Sequence, residues 1–195
     1  MALAETAAPE TRIVDAALVC IGRWGSIKTT LDDVARQAGY SRATVYRVFP
    51  GGKDALLETV ARREVGRFFA ALVSRIEAAE TLEDALAAGM SEAATVIRDH
   101  HALQFLLAYE PETILPRVAF SRCDEALGSV RTAVAPSLSR WLPAGDAERV
   151  AEWTARLVLS YAMAPTAEID MTDEASTHRL VQTFVLPGLH SLAHS

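Results

Sequence analysis

Apolar residues recur at helical spacing along nearly the whole chain, and no stretch alternates as a strand does. Ile13, Val14, Ala17, Leu18 and Ile21 share one face of a helix predicted from about Glu10 to Trp24. Leu31, Val34, Ala35 and Ala38 take the i, i+3, i+4, i+7 positions of a second helix, while Asp32, Arg36 and Gln37 fall away from that face. Thr30 is its predicted N-cap, and Asp33 three residues on can close a variant of the capping box. Gly39 offers a left-handed backbone to end this helix, and Ser41 can cap the next. In that third helix, starting at Arg42, the apolar Val45, Val48 and Phe49 point one way. Ala43 and Arg47 lie opposite them, flanked by Thr44 and Tyr46.

The remaining elements follow the same period. A fourth helix is predicted from Gly52 past Leu56, Val60, Phe68, Phe69, Leu72 and Ile76, long enough to act as a strut. A fifth runs from Thr81, with Asp84 as capping partner, to about His100, and a short apolar helix covers Ala102 to Tyr109. Pro111 and Pro116 should then break the chain. Further helices fit Ala119 to Trp141, kinked at Pro136, then Ala147 to Met163 and Asp173 to Leu189. The fold class is all-α: a three-helix head with a helix-turn-helix on a larger helical domain. Its boundaries are read as an arm over residues 1–9, a head over 10–55 and a body over 56–195.

The exposed face of the third helix has the composition of a major-groove reader. Ala43 permits close approach, Arg47 can take two acceptors on a guanine edge, and the hydroxyls of Thr44 and Tyr46 suit phosphates or bases. The pattern Thr30-Leu31-x-x-Val34-Ala35-x-x-Ala38-Gly39-x-Ser41-x-x-Thr44-x-Tyr46-x-x-Phe49, followed by Lys53 and Leu56, resembles the N-terminal DNA-binding domain of the TetR family of transcriptional regulators across roughly residues 10 to 60. The resemblance implies an all-helical homodimer that binds a palindromic DNA operator and releases it when a small-molecule effector enters the C-terminal domain. It assigns Arg42, Ala43, Thr44 and Arg47 to bases and sugar-phosphate, Tyr46 and either Thr29 or Thr30 to phosphates, and Lys53 to the backbone at the next helix's start. Two positions depart from the family pattern: Arg47 stands where many members carry histidine, and Gly51-Gly52 replaces the usual Ser or Asn before Lys53.

Charge sharpens this reading. The total of −6 is unusual for a DNA binder, but residues 1 to 75 carry 11 Lys or Arg against 8 Asp or Glu, a net +3, and residues 76 to 195 carry 8 against 17, a net −9. A basic head before an acidic body directs one end of the molecule toward phosphates. No run approaches the roughly 20 apolar residues of a membrane span, and the first nine residues lack the pattern of a signal peptide, so a cytoplasmic location without membrane association is expected. Cys20 and Cys123 sit in apolar stretches and read as buried or merely tolerated thiols, not as a disulfide framework.

An apolar effector cavity is expected from Met90, Ile97, Phe105, Leu106, Tyr109, Phe120, Trp153 and Leu157, which suits a hydrophobic or amphipathic molecule. The last two helices carry wide apolar faces, with Val150, Trp153, Leu157 and Val158 on one and Leu180, Val181, Phe184 and Val185 on the other. These faces are expected to meet their copies across a two-fold axis in a four-helix homodimer interface; the alternative is that they complete the chain's own core. No cofactor is implied. His190 and His194 have the spacing of a metal pair but no companion ligands, Gly51-Gly52 lacks a phosphate-loop context, and no nucleophile stands in a triad, so enzymatic activity is not expected. The alternative is a helical carrier or enzyme that retains the head without operator binding.

Overall fold

A computed structural model of the chain describes residues 8–118 and 123–192. Among the described residues every regular element is helical: α1 (Pro9–Lys28), α2 (Leu31–Ala38), α3 (Arg42–Val48), α4 (Gly52–Glu77), α5 (Leu82–Asp99), α6 (His101–Tyr109), α7 (Pro111–Val118), α8 (Cys123–Leu138), α9 (Ala144–Met163), α10 (Glu174–Leu180), a π-helical turn (Val181–Val185) and α11 (Leu186–Leu192). None of the described helices is long and apolar enough to cross a membrane. Met1–Ala7, Phe120 and His194 lie outside the described residues, as do the side chains of Cys123 and His190.

The chain divides into two compact units. The first comprises residues 1–66 and 100–115, the second residues 67–99 and 116–195. The first is larger than the motif-bearing segment 10–55, because α6 packs with it. Ala102 is buried in the same cluster as Ile13, Ala17 and Ile21 of α1, Val34 of α2, Val45 of α3 and Leu56 of α4, and Leu106 packs against that cluster. The two helices lie close at Gly22, where a Cβ would stand in ordinary van der Waals contact with the Ala102 backbone at 3.6 Å. Burying Val45 completely contributes roughly 1.5–3 kcal/mol. That burial also fixes which side of α3 turns outward.

The second unit is built around Leu72 and Ile76 of α4, Ala85 to Met90 of α5, Leu138 of α8, Val150 and Val158 of α9, and Leu180, Val181 and Val185. Helix α5 starts on a side-chain cap, with the Asp84 N–H donating to Thr81 Oγ1 at 3.1 Å. Asp173 caps α10 by accepting from the Ser176 N–H at 3.0 Å.

Four expectations about the elements are corrected. Helix α1 does not stop at Trp24 but continues to Lys28 across a break at Gly25 (φ 84°, ψ 171°). Pro111 begins α7 at a position where the missing N–H has no helical partner to lose, and Pro116 lies within that helix and does not break it. Helix α9 starts at Ala144, directly after Pro143, instead of near Ala147. The last predicted helix is divided by the π turn, where the Leu186 N–H bonds back to the Val181 carbonyl. Pro187 explains it, because proline removes a backbone donor and crowds the preceding turn, and widening that turn by one residue relieves the clash.

Candidate nucleic-acid interface

Local chemistry sets the geometry of α2 and α3. Thr30 and Asp33 cap each other: the Asp33 N–H donates to Thr30 Oγ1 at 3.2 Å, and the Thr30 N–H and hydroxyl donate to Asp33 Oδ2 at 3.2 and 2.5 Å. The Thr30 hydroxyl, then its backbone N–H and Arg36, hold the Asp33 carboxyl below its ordinary pKa. At the other end Gly39 adopts φ 72°, its N–H reaching the Arg36 carbonyl at 3.3 Å while the Tyr40 N–H reaches that of Ala35 at 2.9 Å. This paired closure is the Schellman arrangement, and a left-handed residue is what it requires. Arg12 of α1 secures the turn from outside, donating to the Ala38 carbonyl at 3.1 Å and lying over the Tyr40 ring at 4.9 Å. Ser41 then caps α3 by accepting from the Thr44 N–H at 3.1 Å.

With Val45 and Phe49 buried, the opposite side of α3 is open. Arg42, Ala43, Tyr46 and Arg47 are exposed and Thr44 is half-buried, its hydroxyl 3.0 Å from that of Ser41. Arg47 has no hydrogen-bond or ion-pair partner among the described residues. Arg42 is engaged, with Asp32 at 3.1 Å, the Tyr46 hydroxyl at 3.3 Å and the Tyr46 ring beneath its guanidinium at 5.4 Å. Both partners are exposed, and such surface pairs contribute only about 0–1 kcal/mol, so a phosphate can take the place of Asp32.

Lys53, at the start of α4, donates to the Ile27 carbonyl at 2.8 Å, which leaves two ammonium hydrogens for other acceptors. Thr30 is exposed, but its N–H and hydroxyl both donate to Asp33, so a phosphate has to compete with that carboxylate for them. Thr29 is 2% exposed, and its hydroxyl donates inward to the Gly25 carbonyl at 2.6 Å. Of the two threonines only Thr30 is at the surface. The structure thus brings Thr30, Arg42, Ala43, Thr44, Tyr46, Arg47 and Lys53 together on the first unit.

A feature absent from the sequence reading lies behind this surface. Glu110, directly after α6, is 5% exposed and sits on the broken end of α1. The Ser26 N–H and hydroxyl donate to its Oε2 at 3.0 and 2.6 Å, and the Ile27 N–H is shared between Oε1 and Oε2 at 3.2 and 3.3 Å. The one available signal is Gly25, the glycine directly after the predicted helix end at Trp24.

The residues expected to line an effector cavity do not assemble as one wall within either unit. Phe105, Leu106 and Tyr109 belong to the first, Leu106 packing on the head core and Tyr109 standing 72% exposed with its ring 4.7 Å from Phe105. Met90, Ile97, Trp153 and Leu157 belong to the second, where Met90 is buried core and Ile97 and Leu157 pack against it. Phe120 is outside the described residues. Of the expected set only Trp153 lines a groove of about 490 Å³ on the second unit, with Phe184, Val185 and Leu189 and with Arg149 and Arg156 at its edges. Most of the apolar positions on these last helices complete the unit's own core. Trp153 and Phe184, 42% and 63% exposed, remain outside it.

Comparison with known proteins bears on the whole arrangement. The model of a family described as bacterial regulatory proteins, tetR family, matches residues 13–60. The HTH-type transcriptional regulator BetI of Agrobacterium fabrum is 32% identical over 159 residues, 75% of this chain and 71% of that protein. BetI of Rhizobium meliloti is 32% identical over 158 residues, with 75% and 72% covered. Among solved structures, the TetR family repressor AlkX from Dietzia superposes with a TM-score of 0.66 at 22% identity, covering 94% of this chain and 96% of that one. FadR from Bacillus subtilis gives 0.57 at 17% identity, with 90% and 98% covered, and at these identities both likenesses speak for the fold alone. The helix-turn-helix geometry, the matched segment and relatives of this identity and coverage agree: the chain belongs to the TetR family of DNA-binding transcriptional regulators.

Proposed function

We propose that the chain is a ligand-responsive repressor that binds a palindromic operator as a homodimer and is released by a small hydrophobic or amphipathic effector. The observation that carries this reading is the state of α3: its apolar side is buried while Arg47 and its neighbours stand open, with Arg47 unpaired among the described residues. A palindrome requires two such helices about 34–36 Å apart or a multiple of that distance. The exposed Trp153 and Phe184 beside the α9–α11 groove support self-association, because large aromatics left outside a core mark interaction surfaces. For the effector class, AlkX is described as implicated in biodegradation of n-alkanes and the Bacillus subtilis FadR structure as a complex with stearoyl-CoA, which favours an apolar-tailed ligand here as well.

Selection of genomic fragments by the purified protein tests the operator. An inverted repeat released by a long-chain acyl thioester or alkane, but not by a hydrophilic sugar, is the expected result, and enrichment of no symmetric sequence contradicts the proposal. Phe184→Asp tests the interface: a charge placed in the groove's apolar contact should weaken self-association at least tenfold in sedimentation and weaken operator binding with it. A variant that remains dimeric at the same concentration moves the interface elsewhere.

A further inference from the structure

Glu110 is the one ionisable acid or base among the buried residues described, and no basic side chain neutralises it directly among the described contacts. Its carboxylate is satisfied instead by two backbone N–H groups and a hydroxyl, all from Ser26 and Ile27. Those donors converge because Gly25 leaves the helix at φ 84°, turning the next peptides toward one point. The fit is close: a Cβ at Gly25 would lie 2.0 Å from Glu110 Oε1.

The same short segment carries the DNA-facing groups on its other side. The Ile27 carbonyl holds Lys53 Nζ, the Gly25 carbonyl holds the hydroxyl and N–H of Thr29 at 2.6 and 3.3 Å, and Thr30 follows as the N-cap of α2. One carboxylate therefore fixes the peptides from which both Lys53 and the start of α2 take their positions. We propose that Glu110 is a positioning residue for operator binding, acting through the 25–29 segment to place Lys53 and Thr30 against the phosphates while touching no DNA itself. This rests on the DNA-binding surface described above and adds to it a residue 57 positions beyond Lys53 in the chain.

The prediction is specific to phosphate contacts. Glu110→Ala releases the segment, so operator affinity should fall at least tenfold, and the slope of log affinity against log salt should shrink as it does when a phosphate contact is lost, by about one unit per head. Lys53→Ala should produce a comparable loss alone and little further loss in the Glu110→Ala background, because the second change removes a contact already misplaced. Glu110→Gln keeps one oxygen on Oε2's donors and should recover part of the affinity. Binding is measured with the full-length protein on its selected duplex at several salt concentrations, with circular dichroism confirming helix content. Ser26→Ala removes only the hydroxyl donor, and serves if Glu110→Ala is misfolded; a weaker loss with the same dependence on Lys53 is then expected.

Unchanged affinity in a folded Glu110→Ala or Ser26→Ala protein overturns the proposal, and so does full additivity with Lys53→Ala. If the wild-type protein itself binds no duplex, the DNA-binding reading fails first, and the two failures are thereby distinct.

Discussion

Arg47→Ala will leave the protein as stable as the wild type and reduce its affinity for operator DNA at least 30-fold. The stability half follows from position: Arg47 is exposed and makes no polar contact among the described residues, and surface changes of this kind usually stay within about 0.5 kcal/mol. The affinity half follows from what the side chain does when DNA arrives. A guanidinium paired with the O6 and N7 of a guanine is worth roughly 1–3 kcal/mol of discrimination, and a symmetric dimer makes that contact twice, so about 2 kcal/mol is the lower bound for the pair. Affinity for unrelated duplexes should change far less, since that term comes from phosphates. Titration of labelled operator and of a scrambled duplex at one salt concentration, with thermal melts of both proteins, checks both halves. Equal losses on the two duplexes would make Arg47 a phosphate contact and not a base reader.

Gly25→Ala has the largest expected effect on the fold itself. At φ 84° and ψ 171°, a region essentially reserved for glycine, an alanine is strained by about 1–3 kcal/mol, and its methyl group would occupy the space of Glu110 Oε1. The carboxylate must then leave its part-buried donors on Ser26 and Ile27, at a further cost of about 1 kcal/mol for groups left unsatisfied. A loss near 3 kcal/mol lowers the melting temperature of a chain of this length by roughly 6–12 °C. Gly66→Ala is the matched control, because a Cβ there meets nothing within 4 Å and glycine inside a helix costs about 0.5–1 kcal/mol relative to alanine. It should stabilise slightly. If both variants melt together, the seat of Glu110 on α1 is not as described.

The parts of the interface that could be read from sequence are those written in neighbouring residues. Thr30 with Asp33, Gly39 with the left-handed turn, and Ser41 at the head of α3 act within three or four positions, and the 3.6-residue period decides that Val45 goes in and Arg47 goes out. The parts that could not be read depend on partners distant in sequence. Gly25 looks like an ordinary glycine after a helix end at Trp24 until Glu110, 85 residues later, is placed on it, and Thr29 looks like a phosphate contact until its hydroxyl turns toward the Gly25 carbonyl. Helix α6 carries no signal that it belongs with the head, since Ala102 and Leu106 would suit any helical core. The groove-lining aromatics show the same limit from the other side. The periodicity of α9 and of the final helices marks them as apolar, but only packing separates Val150 and Val185, which serve the core, from Trp153 and Phe184, which do not.

Sequence-specific binding by this protein depends on α3 entering the major groove with Arg47 against base edges. Methylation interference at guanine N7 on the selected operator reads that contact directly, because N7 faces only the major groove. Two clusters of guanines, one in each half-site and about one or more helical turns apart, are expected to block the wild-type protein when methylated and to have no effect on Arg47→Ala. Binding indifferent to N7 methylation throughout the site would contradict that placement of α3.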